Sequence, residues 1–240
     1  MKKVCIVQTR MGSTRLSGKV MKDLCGKPVI WHVIDRLKRC NNIDLIVIAT
    51  TTNEQDNIIE EYVKALDDEK IKIYRGSEDD VLTRYFEAAE RENADLIIRV
   101  TSDCPLIDPE ITDRIIEAAV KSQTYTSNVG LRTFPRGFDT EVFTFQLLKD
   151  AFENAETAVE REHVTPYIKE KTKDVAVNIS NINDYSLHRW TLDTEEDYTL
   201  IRKIYEKLWP NNREFLLKDI LDLFKKEPEL FQINAHIQQK

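Results

Sequence analysis

The chain has 240 residues, a net charge of −7, 41% hydrophobic and 32% charged residues, which is an ordinary globular composition in one large domain or two small ones. The acidic balance excludes general binding to nucleic-acid polymers, which needs a basic face, but not a local site for an anion. No apolar run approaches the length of a membrane span.

The first element predicted is a buried strand over 3–8, built on Val4-Cys5-Ile6-Val7. It runs straight into Gln8-Thr9-Arg10-Met11-Gly12-Ser13-Thr14-Arg15-Leu16-Ser17-Gly18-Lys19, a cationic loop with two glycines. Backbone N–H groups freed by glycine, with Arg and Lys side chains, suit a polyphosphate at the C-terminal edge of an open α/β sheet. The loop is not a Walker A sequence: five residues separate Gly12 from Gly18, and Val20 follows Lys19 where a hydroxyl is needed. Its bland reading is a turn with solvated charges. Further strands are expected over 44–50, 71–75 and 95–101, and helices over 28–40, 54–66, 79–92 and 109–121. Strands alternating with helices predict parallel βαβ units in a doubly wound, Rossmann-like α/β sheet.

Strand 71–75 ends in Gly76-Ser77-Glu78-Asp79-Asp80, where Ser77 and Asp80 read as a capping box for the next helix. Strand 95–101 ends in Thr101-Ser102-Asp103-Cys104-Pro105. Asp103 is placed to hold a metal ion against phosphates from the first loop, and Asp108 reads as a helix cap. Beyond residue 125 the pattern changes. Residues 126–128 and 133–137 read as loops and 139–143 as a strand carrying Asp139 and Glu141 on one face. Helices are expected over 146–153, 158–171, 195–207 and 213–226. Arg136, Asp139, Glu141, Arg161 and His163 are candidates to meet over a polar acceptor, against the alternative of a salt-bridged surface. A short strand at 189–192 leads to Asp193-Thr194, which reads as a helix cap or, for Asp193, as a second metal ligand. His32 and the three tryptophans read as structural, and His236 as part of a loose tail.

The division expected is a single domain over 1–240: a nucleotide-binding half at 1–125, an acceptor-side insertion at 126–185, then a return strand and C-terminal helices at 186–240. Cys5, Cys25, Cys40 and Cys104 form no CxxC pair, so reduced thiols are expected rather than zinc or disulfides. With no signal-peptide core after Lys2-Lys3, the location expected is the cytoplasm.

The loop at 8–19, followed by Leu24-Cys25-Gly26-Lys27-Pro28-Val29, resembles the opening of sugar nucleotidyltransferases. The likeness is to cytidylyltransferases of the spore-coat polysaccharide F type, akin to the 3-deoxy-manno-octulosonate and acylneuraminate enzymes. The chain departs from that family's pattern at Ser17, where the family has proline. The resemblance implies CTP and a sugar or sugar-acid acceptor as substrates, pyrophosphate release, Mg²⁺ held by Asp103 and Asp193, and a homodimer. It implies nucleotide contacts from Gln8, Arg10, Gly12, Ser13, Arg15, Lys19, Ser77 and Asp80, with Arg15, Lys19, Asp103 and Asp193 catalytic. Two rivals are a glycosyltransferase, for which an Asp-x-Asp pair is missing at 101–104, and a nucleotide-binding protein without turnover. On this reading Lys19→Ala and Asp103→Asn each cut turnover with little loss of stability.

Overall fold

The computed structural model describes residues 1–238. Chain order is β1 (Lys3–Gln8), β2 (Asp23–Leu24), β3 (Lys27–Pro28), α1 (Val29–Lys38), β4 (Leu45–Thr51), α2 (Asn57–Ala65), β5 (Ile71–Gly76), α3 (Val81–Arg91), β6 (Leu96–Thr101) and α4 (Pro109–Ser122). The second half adds β7 (Thr126–Ser127), β8 (Glu141–Thr144), α5 (Phe145–Asn154), α6 (Ala158–His163), α7 (Pro166–Thr172), β9 (Val177–Asn178), α8 (Glu195–Leu208) and α9 (Leu217–Lys226).

Seven strands form one sheet in the order β5-β4-β1-β6-β8-β7-β9. β5, β4, β1 and β6 are parallel, while β8 runs against both β6 and β7. Alternate residues face two separate cores, as a sheet covered on both sides requires. Cys5, Val7, Ile46, Ile48, Ile98 and Val100 pack on one side with α1, α4, α8 and α9. Val4, Ile6, Leu45, Val47 and Ile97 pack on the other with α3, α5 and α7. The chain leaves β1 toward β4 and β5, then returns to place β6 on β1's other side. That reversal opens a crevice at the C-terminal ends of β1 and β6, the place where such sheets take ligands.

Several expected boundaries are corrected. The loop at 126–128 contributes β7, whose two polar residues pair with Glu141 and Val142 on one side and with Val177 and Asn178 on the other. The strand at 139–143 begins only at Glu141, because the buried Asn128 side chain takes the place of a ladder partner: its amide donates to Phe138 O (2.7 Å) and accepts from Thr140 N (3.0 Å). The helix at 158–171 is two helices. Pro166 has no N–H to continue the first, and Val164 turns the chain at φ 69°, a strained angle for a β-branched residue. The strand expected at 189–192 is reduced to one bridge, Arg136 to Arg189. The tail is built rather than loose: Pro228–Ile233 forms a 3-10 turn and Asn234 is buried behind it. Among the described residues no helix is long and apolar enough to cross a membrane.

His32 is structural, as expected. Its Nε2 donates to Leu24 O at 2.6 Å, and burial pushes its pKa down to about 4. All four cysteines are free thiols.

Candidate active site

The cationic loop folds as a closed turn at the end of β1. Met11 O accepts from both Ser13 N (2.8 Å) and Gly18 N (3.1 Å). Gly18 makes the closure possible by taking φ 64°, where a side chain is strained. Leu16 anchors the turn in the core. The wholly buried Asp56 fixes its base by accepting from Met11 N at 2.7 Å and from Thr51 N at 3.3 Å. Asp56 escaped the sequence reading because an acid before a helix is ordinarily a dipole or capping residue.

Two aspartates from distant segments reach this loop. Asp103 lies in the turn after β6, with its carboxylate accepting from the Thr101 hydroxyl. Its own carbonyl accepts from Leu192 N at 2.8 Å, which lays the 189–193 segment along the end of β6. Lys19 Nζ stands between the two acids, 2.8 Å from Asp193 Oδ1, 3.3 Å from Asp103 Oδ2 and 2.8 Å from Leu192 O. Arg15 closes on Asp193 Oδ2 at 3.0 Å. Burial works against the Lys19 charge, but Asp103 and Asp193 outweigh it and raise its pKa. Burial likewise opposes ionisation of Asp193, but Lys19, Arg15 and Arg189 hold its carboxyl below the usual range.

Asp193 is supported from behind. Arg189 reaches Asp193 Oδ2 at 3.1 Å and grips the buried Asp197 through Nε (3.0 Å) and a terminal nitrogen (2.8 Å). Asp197 Oδ2 also accepts from the backbone of Asp193 (3.0 Å) and Thr194 (3.1 Å). Thr194 caps α8 in a capping box with Asp197. Gly137 lets the 134–138 loop pass directly against Trp190 and Thr191, so that Trp190 N donates to Arg136 O at 2.8 Å.

The remaining sequence candidates divide. Gln8, at the end of β1, accepts from Arg99 at 3.2 Å. Arg10 pairs with Glu78 at 3.1 Å across the loop from Gly12. Asp108 caps α4, as expected, accepting from Glu110 N and Ile111 N. The capping box expected of Ser77 is corrected: Asp80 is the residue that caps α3, and the Ser77 hydroxyl accepts from Asp80 N at 3.0 Å. Asp80 also takes the Arg161 guanidinium at 2.6 and 3.0 Å, which ties α3 to α6. Arg161 is thereby turned to Asp80 rather than to Glu141, and His163 is exposed at the end of α6. Among the described residues no hydrogen bond or ion pair joins Glu141, Arg161 and His163 to one another. Asp139 forms a two-pronged pair with Arg132 (2.5 and 3.0 Å), and Arg136 lies half-buried beside that pair.

Glu141 is buried within a network of its own: it accepts from Arg99, Tyr125 (2.6 Å), Thr165 (3.0 Å) and Lys169 (2.7 Å). Burial alone would raise its pKa, but Arg99 and Lys169 outweigh that and bring it down to about 2. A carboxyl depressed in the fold adds stability that is fully present above its unfolded value and lost as pH falls through the folded one. The wild-type protein is therefore expected to lose this contribution between about pH 4.5 and pH 2. Glu141→Gln should flatten that part of the acid-unfolding curve; an unchanged slope rules out the ionised network.

The cluster of Arg15, Lys19, Asp103 and Asp193 can neutralise negative charge and offers hard oxygen ligands on one side of a cationic turn. Comparisons with known proteins agree with that character. A family model described as cytidylyltransferase matches residues 4–240. The spore coat polysaccharide biosynthesis protein SpsF of Bacillus subtilis is 34% identical over 215 residues, covering 84% of this chain and 85% of that protein. The structure of a cytidylyltransferase from Leptospira borgpetersenii superposes with a TM-score of 0.91 at 34% identity, covering 100% of both chains. The fold is shared more distantly with a CMP:2-keto-3-deoxy-manno-octonic acid synthetase complexed with CTP, at a TM-score of 0.66, 18% identity, and 86% and 99% coverage.

Proposed function

Because this chain belongs to the cytidylyltransferase family, we propose that it transfers the cytidylyl group of CTP to a sugar or sugar acid and releases pyrophosphate. The observation that carries this reading is the Lys19 ammonium held between Asp103 and Asp193 at the C-terminal ends of β1 and β6. A nucleotidyl transfer needs fixed cations and a pair of acids at one point, and this is where the fold gathers them.

In the reaction an acceptor hydroxyl attacks the α-phosphorus in line, the new P–O bond forms as the bond to pyrophosphate breaks, and the hydroxyl proton is released to solvent. The protein's share is alignment and charge. The turn at 11–18 presents its backbone to the phosphates, and Arg10, Arg15 and Lys19 surround it. Asp103 and Asp193 fit Mg²⁺, being two carboxylates already organised around one cation, and a hard divalent ion prefers such oxygens with phosphate completing its shell. Bound there, Mg²⁺ would offset charge on the phosphate oxygens and the leaving group. With the acids so engaged, Lys19 and Arg15 would be the cations available to phosphate. Ser77 and the backbone around it, at the end of β5, lie on the nucleotide side of the sheet and serve the base. Arg132, Arg136 and Asp139 serve the acceptor.

Purified protein incubated with CTP, Mg²⁺ and a panel of sugars and sugar acids should release pyrophosphate with at least one acceptor. Among nucleoside triphosphates, CTP with Mg²⁺ should stabilise the protein most. At one hundred times its dissociation constant the gain is about 2.7 kcal/mol, or roughly 5–10 °C for a chain of this size. Equal shifts with all four triphosphates defeat the choice of CTP, and binding without pyrophosphate from any acceptor favours a nucleotide-binding protein without turnover.

A further inference from the structure

The C-terminal segment enters the buried network behind Asp193. Asn234 follows the 3-10 turn Pro228–Ile233 and is only 3% exposed. Its side-chain amide makes two donations, each 2.8 Å long, one to Asp197 Oδ1 and one to Arg189 O. Asp197 Oδ1 also accepts from Arg189 Nε, while Asp197 Oδ2 holds the backbone N–H groups of Asp193 and Thr194. One amide therefore fixes both the acid that carries the Asp193 backbone and the chain bearing the guanidinium that touches its carboxylate. A buried carboxylate with a full set of donors has one position; remove one donor and it can rotate or draw in water.

From this we infer that Asn234 is a positioning residue for Asp193, so that the turn at 228–234 sets how well the second acid meets a divalent cation. The inference rests on the reading of Asp193 as a metal ligand given above. Outer partners of metal-binding carboxylates typically contribute about 10–100-fold in metal affinity.

The test is calorimetry of CTP binding without acceptor, with and without Mn²⁺, and the readout is the ratio of the two affinities. A general loss of stability leaves that ratio in place. Asn234→Ala should lower it about tenfold. Leu230→Ala, which cuts a buried apolar side chain in the same turn, should keep the wild-type ratio. A cavity of about 100 Å³ beside Asn234 gives water access to the truncated position, which favours folding of the variant. Asn234→Ser retains a single donor and provides the same measurement should the alanine variant not fold. An unchanged ratio in the Asn234 variants, or an equal loss in Leu230→Ala, overturns the inference. Asp193→Asn separates the two ideas. If it loses the Mn²⁺ effect while the Asn234 variants keep it, the positioning role alone falls; if it keeps the effect, the metal reading falls and the inference with it.

Discussion

Lys19→Ala is expected to reduce the rate of pyrophosphate release at least a hundredfold, and Asp103→Asn to do the same. On the proposed mechanism Lys19→Ala removes a cation that offsets the negative charge developing on the phosphate, and Asp103→Asn weakens the carboxylate pair that would hold Mg²⁺ there; one such contact is worth about 3–4 kcal/mol. The two variants should part company in stability. The sequence alone predicts little loss for either. In the structure, however, Lys19 makes three hydrogen bonds and its side chain is 12% exposed. Without it, two carboxylates face each other with one neutralising partner fewer, a loss of about 1–3 kcal/mol. Asp103→Asn keeps the shape of the side chain and leaves Lys19 its bonds to Asp193 and Leu192, so its thermal midpoint should stay close to wild type. Rates with CTP, Mg²⁺ and a working acceptor, together with thermal melts at neutral pH, test both halves. Wild-type turnover in either variant removes that residue from the mechanism. A wild-type midpoint for Lys19→Ala would mean that the ammonium does not hold the two acids together.

Gly137→Ala should be the most damaging single methyl addition near the site. A Cβ at Gly137 would stand 2.5 Å from Trp190 O, 2.6 Å from Trp190 C and 2.8 Å from Thr191 N. These are backbone atoms and cannot swing aside like the end of a side chain. Gly137 also sits at φ 100°, which disfavours any L-residue. Relief requires the 134–138 loop to part from the 189–192 segment, which breaks the hydrogen bonds from Arg136 N to His188 O and from Trp190 N to Arg136 O. The expected cost is about 3 kcal/mol or more, a fall in midpoint of roughly 6–12 °C, with loss of turnover because Asp193 moves with its segment. A variant that melts with the wild type shows that the two segments do not touch.

What could be read in the sequence follows from how far each signal reaches along the chain. β1, β4 and β6 announce themselves as nearly unbroken apolar runs, β5 by the shorter alternation Ile71-Lys72-Ile73, and the helices between them by their period; these signals lie within a few residues. The loop at 8–19 and Asp103 are equally local, because their residue types stand together at strand ends; Asp193 is singled out through the family resemblance, since its own neighbourhood reads equally well as a helix cap. The partners were not local. Asp80 and Arg161 are 81 positions apart, and Arg99 and Glu141 are 42 apart. Each member alone looks like a surface charge. Asp197 shows the same limit at short range: among Glu195, Glu196 and Asp197 only the third is buried, and nothing in the three letters distinguishes it. β7 was missed because two polar residues carry no period, and the tail because its anchors, Leu230 and Asn234 among them, lie in an otherwise unremarked stretch.

The contact from Lys19 to Asp193 spans 174 positions of chain. Synthesis proceeds at about 5–20 residues per second, so roughly 9–35 s pass between the appearance of the first residue and the second. For that interval β1 and its cationic turn exist on the nascent protein with at least one of their two acids not yet made. Newborn chains can thus gather most of their sheet well before they hold a finished phosphate-handling centre.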